Sequence, residues 1–157
     1  GSECREIACT MDVLPTFARL AGIEPPRDRT LDGHDMLPLL LDESDAKSAY
    51  DEEGFYYYMI SQLQAVRSGP WKLYLPLKEK VLNLGGKTAA SPAALFNLID
   101  DVSETRNVAD EHPDVVARLS AMAESARREL GDRGVQGAGQ RPAGWMEDVQ
   151  PQRLPSE

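Results

Sequence analysis

The sequence predicts an α+β fold: a four-stranded antiparallel sheet covered by a C-terminal helix, preceded by a helix that belongs to the edge of a larger α/β body. Three observations carry this. Four strand-length runs rich in β-forming residues, at 55–60, 64–68, 71–76 and 95–99, are separated by turn signals. One long stretch, Pro113 to Leu130, repeats apolar residues at helical spacing. A shorter amphipathic stretch, Thr10 to Gly22, has an apolar face for which a free-standing module would have no partner.

In the first helix, placed at residues 12–21, Val13, Leu14, Phe17, Leu20 and Ala21 share one face. Pro15 is tolerated only in the first turn, which makes Asp12 the expected cap, and Gly22 with Pro25-Pro26 ends the helix. Burying such a face stabilises by roughly 1.5–3 kcal/mol per large side chain, which a lone helix cannot gain. Asp32-Gly33 then reads as a tight turn and Leu37-Pro38-Leu39-Leu40-Leu41 as a short apolar element. From Asp42 to Glu53 the chain is acidic and small, a solvated linker between two bodies. The expected division is 1–45 for the edge of the large domain, 46–131 for the small sheet subdomain and 132–157 for an irregular tail, touching another surface through Trp145 and Met146.

In the second body, Phe55-Tyr56-Tyr57-Tyr58-Met59-Ile60 is dense in aromatic residues, and alternation in a half-buried sheet accounts for its tyrosines. Ser68-Gly69-Pro70 turns the second run into the third as a hairpin. Leu95 to Ile99 gives the fourth strand; Asp100-Asp101 stop it, with Glu104 placed three after Asp101 as in a capping box. The helix at 113–130 carries Val115, Val116, Leu119, Met122, Ala123, Ala126 and Leu130 on one stripe. Pro113 and Asp114 suit its first turn, Arg127 and Arg128 its last, and Gly131 its close. A sheet with one face on the core needs such a cover.

Composition narrows the partners. The chain has 157 residues, 41% of them apolar, and a net charge of -9, which argues against nucleic acid or an anionic membrane surface as a partner. No run approaches the roughly 20 apolar residues of a membrane span. Without an initial methionine and with patterned sequence almost at once, the chain reads as part of a longer protein. Cys4 and Cys9 make neither a disulfide framework nor a zinc site and read as small buried or half-buried thiols. His34 has no second metal-ligand histidine at helical spacing, so a hydrogen-bonded role is expected, with substrate contact the functional reading. Gly85-Gly86-Lys87-Thr88 lacks the first glycine of a phosphate loop; Lys87, in the loop at residues 77–92, is the other candidate substrate contact. No metal ligand and no catalytic residue is identified.

Four passages, in order, resemble the arylsulfatase family. Residues 11–22, Met-Asp-Val-Leu-Pro-Thr-Phe-Ala-Arg-Leu-Ala-Gly, are similar to its "D-L-x-P-T-x-x-x-L-A-G" helix, and Asp32-Gly33 through Leu40 to its "D-G-x-x-L-x-P-L-L" passage. Gln64-Ala65-Val66-Arg67-Ser68-Gly69-Pro70-Trp71-Lys72-Leu73 resembles its "x-A-V-R-x-G-x-W-K-L" hairpin. Leu95-Phe96-Asn97-Leu98, Asp101, Glu104, Asn107 and Val108 resemble its "L-Y-(D/N)-L-x-x-D-P-x-E-x-x-N-L" signature, with Val102 where proline is usual. The resemblance implies the C-terminal part of a sulfatase whose large α/β domain holds a formylglycine made from cysteine, a calcium ion and the sulfate-binding residues. Neither cysteine here lies in the Cys-x-Pro-x-Arg context that conversion needs. The implied partners are the N-terminal catalytic domain of the same protein and, through it, a sulfated small molecule or sulfated glycan. The implied location is periplasmic, secreted or lysosomal. The alternative reading is a stand-alone carbohydrate-binding module with an aromatic sheet face; a related phosphodiesterase or phosphoglycerate mutase fits the hairpin and acidic-turn signatures less well.

Overall fold

The computed structural model describes residues 3–82, 86–142 and 147–148. A single 3-10 turn at Thr10–Asp12 runs into α1, Val13–Leu20, and two short helical turns follow, α2 at Leu37–Leu40 and α3 at Tyr50–Glu53. Asp12 stands at the N-cap of α1, but its carboxylate makes no bond to that helix's amides and instead accepts the Cys9 N–H at 2.7 Å. The third residue of α1 is Pro15, which has no N–H to offer, so the cap is free to serve other donors. The helix leaves its expected apolar stripe uncovered by the described residues. It buries Pro15, Thr16 and Ala18, while Leu14, Phe17 and Leu20 are more than half exposed.

The stretch expected to be a solvated linker is partly buried. Ser48 and Tyr50 are 4% and 5% exposed, because Ser48 Oγ donates to the Ile7 carbonyl and the Glu6 carboxylate takes both Lys47 Nζ and the Ser48 N–H. Acidic composition hid a segment in which Lys47, Ser48 and Tyr50 all donate to residues 6–12.

The sheet is built from β1 (Phe55–Met59), β2 (Gln62–Ser68) and β3 (Trp71–Tyr74); a two-stranded ribbon, β4 (Lys80–Val81) and β5 (Lys87–Thr88), intervenes before β6 (Ala94–Asn97). The order is β1-β2-β3-β6, antiparallel throughout. The fourth strand stops at Asn97, short of the expected Ile99, which is 76% exposed in the following turn. Gly69, with φ at 55°, and Pro70 form the two-residue β2–β3 turn, where a positive φ is what matches the twist of the strands.

Register sorts the side chains into two faces. Tyr56, Val66, Leu73 and Leu95 lie in one cross-strand row and belong to the core. Phe55, Arg67, Lys72 and Phe96 form a row on the opposite face, and Tyr57, Ala65, Tyr74 and Ala94 another. The register of β1 on β2 shifts between Tyr57 and Tyr58, which leaves Gln64 as the extra residue of a bulge. Its amide and that of Gln62 bind the backbone of the β4 ribbon, at Val81 and Glu79, with both bonds at 2.7 Å.

The core face is covered by α4, Pro113–Leu130, as expected. Leu119, Ala123 and Ala126 meet Leu63, Val66, Leu73 and Leu95, nearly all without solvent access, and Arg118 reaches across to Ser68 Oγ at 2.8 Å. After α4 the chain is less irregular than expected: β7 (Gly131–Asp132) and β8 (Val135–Gln136) pair, and residues 138 and 139 bond back to the last turn of α4. Arg141 then reaches the first body, donating to the Thr30 carbonyl at 2.8 Å and to Asp32 at 3.1 Å. Trp145 and Met146 lie outside the described residues.

Candidate functional site

Two polar constructions stand out, one in each body. In the first, the Asp12 side chain is 1% exposed and accepts three hydrogen bonds: Cys9 N–H at 2.7 Å, His34 N–H at 2.9 Å and the Tyr50 phenol at 2.6 Å. Gly33 permits this, since a Cβ there would stand 2.0 Å from the Met11 carbonyl oxygen; only a bare backbone brings His34 close enough. Burial raises the carboxyl's pKa, but the bonds from Tyr50, His34 and Cys9 outweigh it and hold Asp12 below its ordinary value. Burial, with the bond to Asp12, pushes the Tyr50 phenol up, so it stays protonated as a donor.

In the second, Lys72 Nζ donates to Glu104 Oε1 at 2.6 Å and the Tyr74 phenol donates to Glu104 Oε2 at 2.7 Å. The ammonium lies 4.8 Å from the ring centroids of both Tyr57 and Tyr74. Burial lowers the Lys72 pKa, yet Glu104 and Tyr74 together raise it overall; burial raises that of Glu104, and Lys72 with Tyr74 bring it down. The expected capping box does not form. Asp101 binds the Thr105 and Arg106 amides at 2.7 and 2.8 Å, closing a turn rather than a helix. Glu104, at a positive φ of 54°, is drawn to the sheet by the unpaired lysine there. Asn107 Oδ1 accepts the outward N–H of Leu95 at 2.9 Å, and Val108 N–H meets the Leu95 carbonyl at 2.9 Å, so the free edge of β6 is closed.

The two residues singled out as substrate contacts are not brought together. His34 is half-buried, edge-on to Tyr50 with centroids 4.9 Å apart, and its Nε2 lies 3.3 Å from Glu53. Lys87 sits on the exposed β5 strand and pairs with Glu79 at 3.0 Å, where Arg133 also binds. No hydrogen bond or ion pair joins His34 to Lys87 among the described residues. Cys4 is exposed rather than buried, and Cys9 half-buried with its thiol 3.1 Å from the Tyr50 phenol. Among the described residues, no three His, Cys, Asp or Glu side chains gather as a metal site. Likewise, no helix among them is long and apolar enough to cross a membrane. The two clusters hold their charges in fixed hydrogen bonds.

Sequence reasoning missed Tyr50 and the joining of Lys72 to Glu104. The signal for Lys72 was available: its neighbours Trp71 and Leu73 face the core by alternation, which puts a cation among the aromatic residues opposite. Tyr50, one aromatic residue in an acidic run, gave none.

The aromatic rings of the open face do not form a flat platform. Tyr50 and Phe55 meet at 90°, Phe55 and Tyr57 at 68°, and Tyr74 and Phe96 at 86°. Edge-to-face contact uses the ring faces that a sugar would stack on.

Comparison with known proteins agrees with this architecture. The family model for the C-terminal region of aryl-sulfatase matches residues 50–152. Mouse steryl-sulfatase is 34% identical over 153 residues, covering 83% of this chain and 24% of its own length. Human arylsulfatase D is 33% identical over 154 residues, covering 83% and 26% respectively. A solved structure from work on glycosaminoglycan metabolism by Bacteroides thetaiotaomicron superimposes with a TM-score of 0.56 at 27% identity, over 74% of this chain and 24% of that one. The chain thus spans about a quarter of the length of the curated relatives it matches.

Proposed function

Because the chain belongs to the aryl-sulfatase family and carries its C-terminal region, we propose that it is the structural C-terminal part of an enzyme that hydrolyses sulfate esters, with the reacting centre in the larger N-terminal domain. The observation that carries this reading is α1. It turns Thr16, whose hydroxyl donates to the Asp12 carbonyl at 2.6 Å and accepts the Met36 N–H at 3.0 Å, inward, and leaves Leu14, Phe17 and Leu20 facing out. A helix that buries Pro15, Thr16 and Ala18 and leaves its large apolar side chains bare has a second partner, and an apolar patch of this kind marks an interface. The catalytic domain is that partner, and residues 1–45 are the part of it present here, joined to the sheet subdomain 46–131 by the Asp12 and Glu6 contacts.

Formylglycine and calcium, which the family resemblance implies, are assigned by this reading to that domain, and neither Cys4 nor Cys9 lies in the Cys-x-Pro-x-Arg context that formylglycine needs. The substrate is a sulfated small molecule or sulfated glycan held mainly by the catalytic domain. His34 and Lys87 are the two residues of this chain proposed to reach it, and the proposed setting is periplasmic, secreted or lysosomal. The carbohydrate-binding alternative is disfavoured by the interlocked rings of the open face.

The test compares this chain alone with the same chain extended toward its N-terminus in the native reading frame, on a generic aryl sulfate with added calcium. Silence from the first and turnover from the second are expected. Turnover by the short chain, or silence from a folded and correctly modified long one, would overturn the proposal.

A further inference from the structure

The chain has five lysines, and three of them, Lys78, Lys80 and Lys87, fall in the β4–β5 ribbon and the bend that leads into it. Both lysines outside it are matched to carboxylates, Lys47 to Glu6 and Lys72 to Glu104. In the ribbon the balance is reversed. One carboxylate, Glu79, takes Lys87 Nζ at 3.0 Å and Arg133 of the β7–β8 turn on the same oxygen. Lys78 and Lys80 pair with no carboxylate among the described residues; Lys80 has only the Tyr74 ring, with its Nζ 5.5 Å from the centroid. Asp132, beside Arg133, is already held by Arg127 at 2.7 Å. Four cations thus share one anion in a chain whose net charge is -9. The ribbon that carries them is anchored. Leu77 and Ser91 close its base with two bonds at 2.9 Å, and the buried Gln62 and Gln64 side chains bind its backbone at Glu79 and Val81.

We infer that the β4–β5 ribbon is a binding strip for a linear sulfated polysaccharide, whose sulfate groups pair with Lys78 and Lys80 and compete with Glu79 for Lys87 and Arg133. The inference goes beyond the sulfatase reading, because such a strip holds a polyanion whether or not any ester on it is hydrolysed. Exposed ion pairs contribute little to stability, and the Lys87 and Glu79 side chains are 49% and 43% exposed, so Lys87 can change partners readily. The distribution of charge selects a strand over a plane. An anionic membrane would bring the acidic remainder of the chain against its surface, whereas a single strand can follow the ribbon alone. Nucleic acid gains much of its affinity from bases stacked on ring faces, and Tyr74, the ring beside Lys80, is engaged edge-to-face with Phe96 at 86°. A sulfated sugar chain needs only the cations.

Calorimetric titration of this chain with a heparin dodecasaccharide tests the inference. Binding is expected at about 50 mM salt and should weaken about tenfold by about 200 mM, as for the release of about three counterions. Lys78→Gln/Lys80→Gln should weaken it about tenfold, whereas Glu79→Gln should tighten it about threefold by freeing Lys87 and Arg133. Arg5→Gln/Arg128→Gln removes the same charge at exposed positions elsewhere and should leave binding within about twofold. Thermal melting by circular dichroism checks that each variant is folded, and Lys78→Gln alone, at an exposed position, replaces the double variant if that one melts early. Equal losses in the two double variants would reduce the effect to net charge and overturn the strip, as would absence of binding at the lower salt. Tighter binding of a single-stranded oligonucleotide or of phosphatidylserine vesicles, through the same two lysines, would replace the glycan by another polyanion and overturn the inference. Turnover of an aryl sulfate by the extended protein tests the sulfatase reading separately.

Discussion

The phenol of Tyr50 donates to Oδ1 of Asp12 at 2.6 Å, joining positions 38 residues apart in the chain. Asp12 is the last residue before α1 and Tyr50 the first of α3, so one buried hydrogen bond ties the helix with the bare apolar face to the strand that follows α3.

Removing that phenol takes one of three donors from a buried carboxylate. Tyr50→Phe is expected to destabilise by about 1.5–3 kcal/mol, the range for hydrogen bonds to charged groups. Asp12→Ala, which strands all three donors, should cost more. Urea unfolding reads both, with a lowered midpoint and an unchanged slope. A midpoint within error of the parent chain for Tyr50→Phe would show that the bond is replaced by water.

Lys72 and Glu104 are coupled, with side chains only 14% and 23% exposed. Glu104→Gln leaves the ammonium half-compensated between two rings, and breaking a buried pair of this kind costs about 3–5 kcal/mol. Lys72→Met alone leaves Glu104 with Tyr74 only. The double variant Lys72→Met/Glu104→Gln is expected to be more stable than the sum of the two single losses predicts, by about 1 kcal/mol or more. Strict additivity in a double-mutant cycle would mean the two charges do not sense each other.

Acid should unfold the chain through the same carboxylates. Asp12 and Glu104 have folded pKa values below their ordinary ones, so their contribution is complete above the ordinary carboxylate range and is lost as pH falls through the folded values. Melting temperature is expected to hold steady from pH 7 to about 5 and to drop below about 4. Glu104→Gln should show a shallower acid limb than the parent chain. Lys72 has the opposite sense: its pKa is raised, so its share is complete below the ordinary lysine value and is lost only as pH rises past it.

Phe17 is 61% exposed, and Phe17→Glu should change the stability of this chain by no more than about 0.5 kcal/mol. In the N-terminally extended protein the same variant is expected to lower sulfatase turnover or soluble yield severalfold. Equal behaviour of variant and parent in the long protein would show that α1 faces solvent there too.

The sheet and α4 were legible because each has a single period that a single face explains. Val66, Leu73 and Leu95 take the inward positions of their strands, and Leu119, Ala123 and Ala126 repeat at helical spacing, so periodicity places them in one core, whereas Leu63, three residues before Val66, joins them only through the bulge at Gln64, which no period shows. The polar ties were not legible, since a carboxylate's partners are chosen by distance in space. Asp12 reads as a cap until Pro15 is seen to remove a donor, and Glu104 reads as a cap until Lys72 is seen to attract it. The apolar stripe of α1 was read correctly as a stripe. What the sequence could not tell was that the residues of this chain would cover the other side of the helix.

The Arg141 contacts with Thr30 and Asp32 span 111 and 109 residues. The two ends of the clasp are brought together by the fold of the residues between them, and the Arg141 side chain is 56% exposed, so little holds it shut. It is thus expected to be among the last contacts made during folding and the first released, letting the segment after α4 swing away from the groove formed by Met11, Leu14 and Leu31 while the sheet remains intact. A protease would then find its first cut near the clasp, and trimming there would proceed through a partly open state at a rate unrelated to the global unfolding rate.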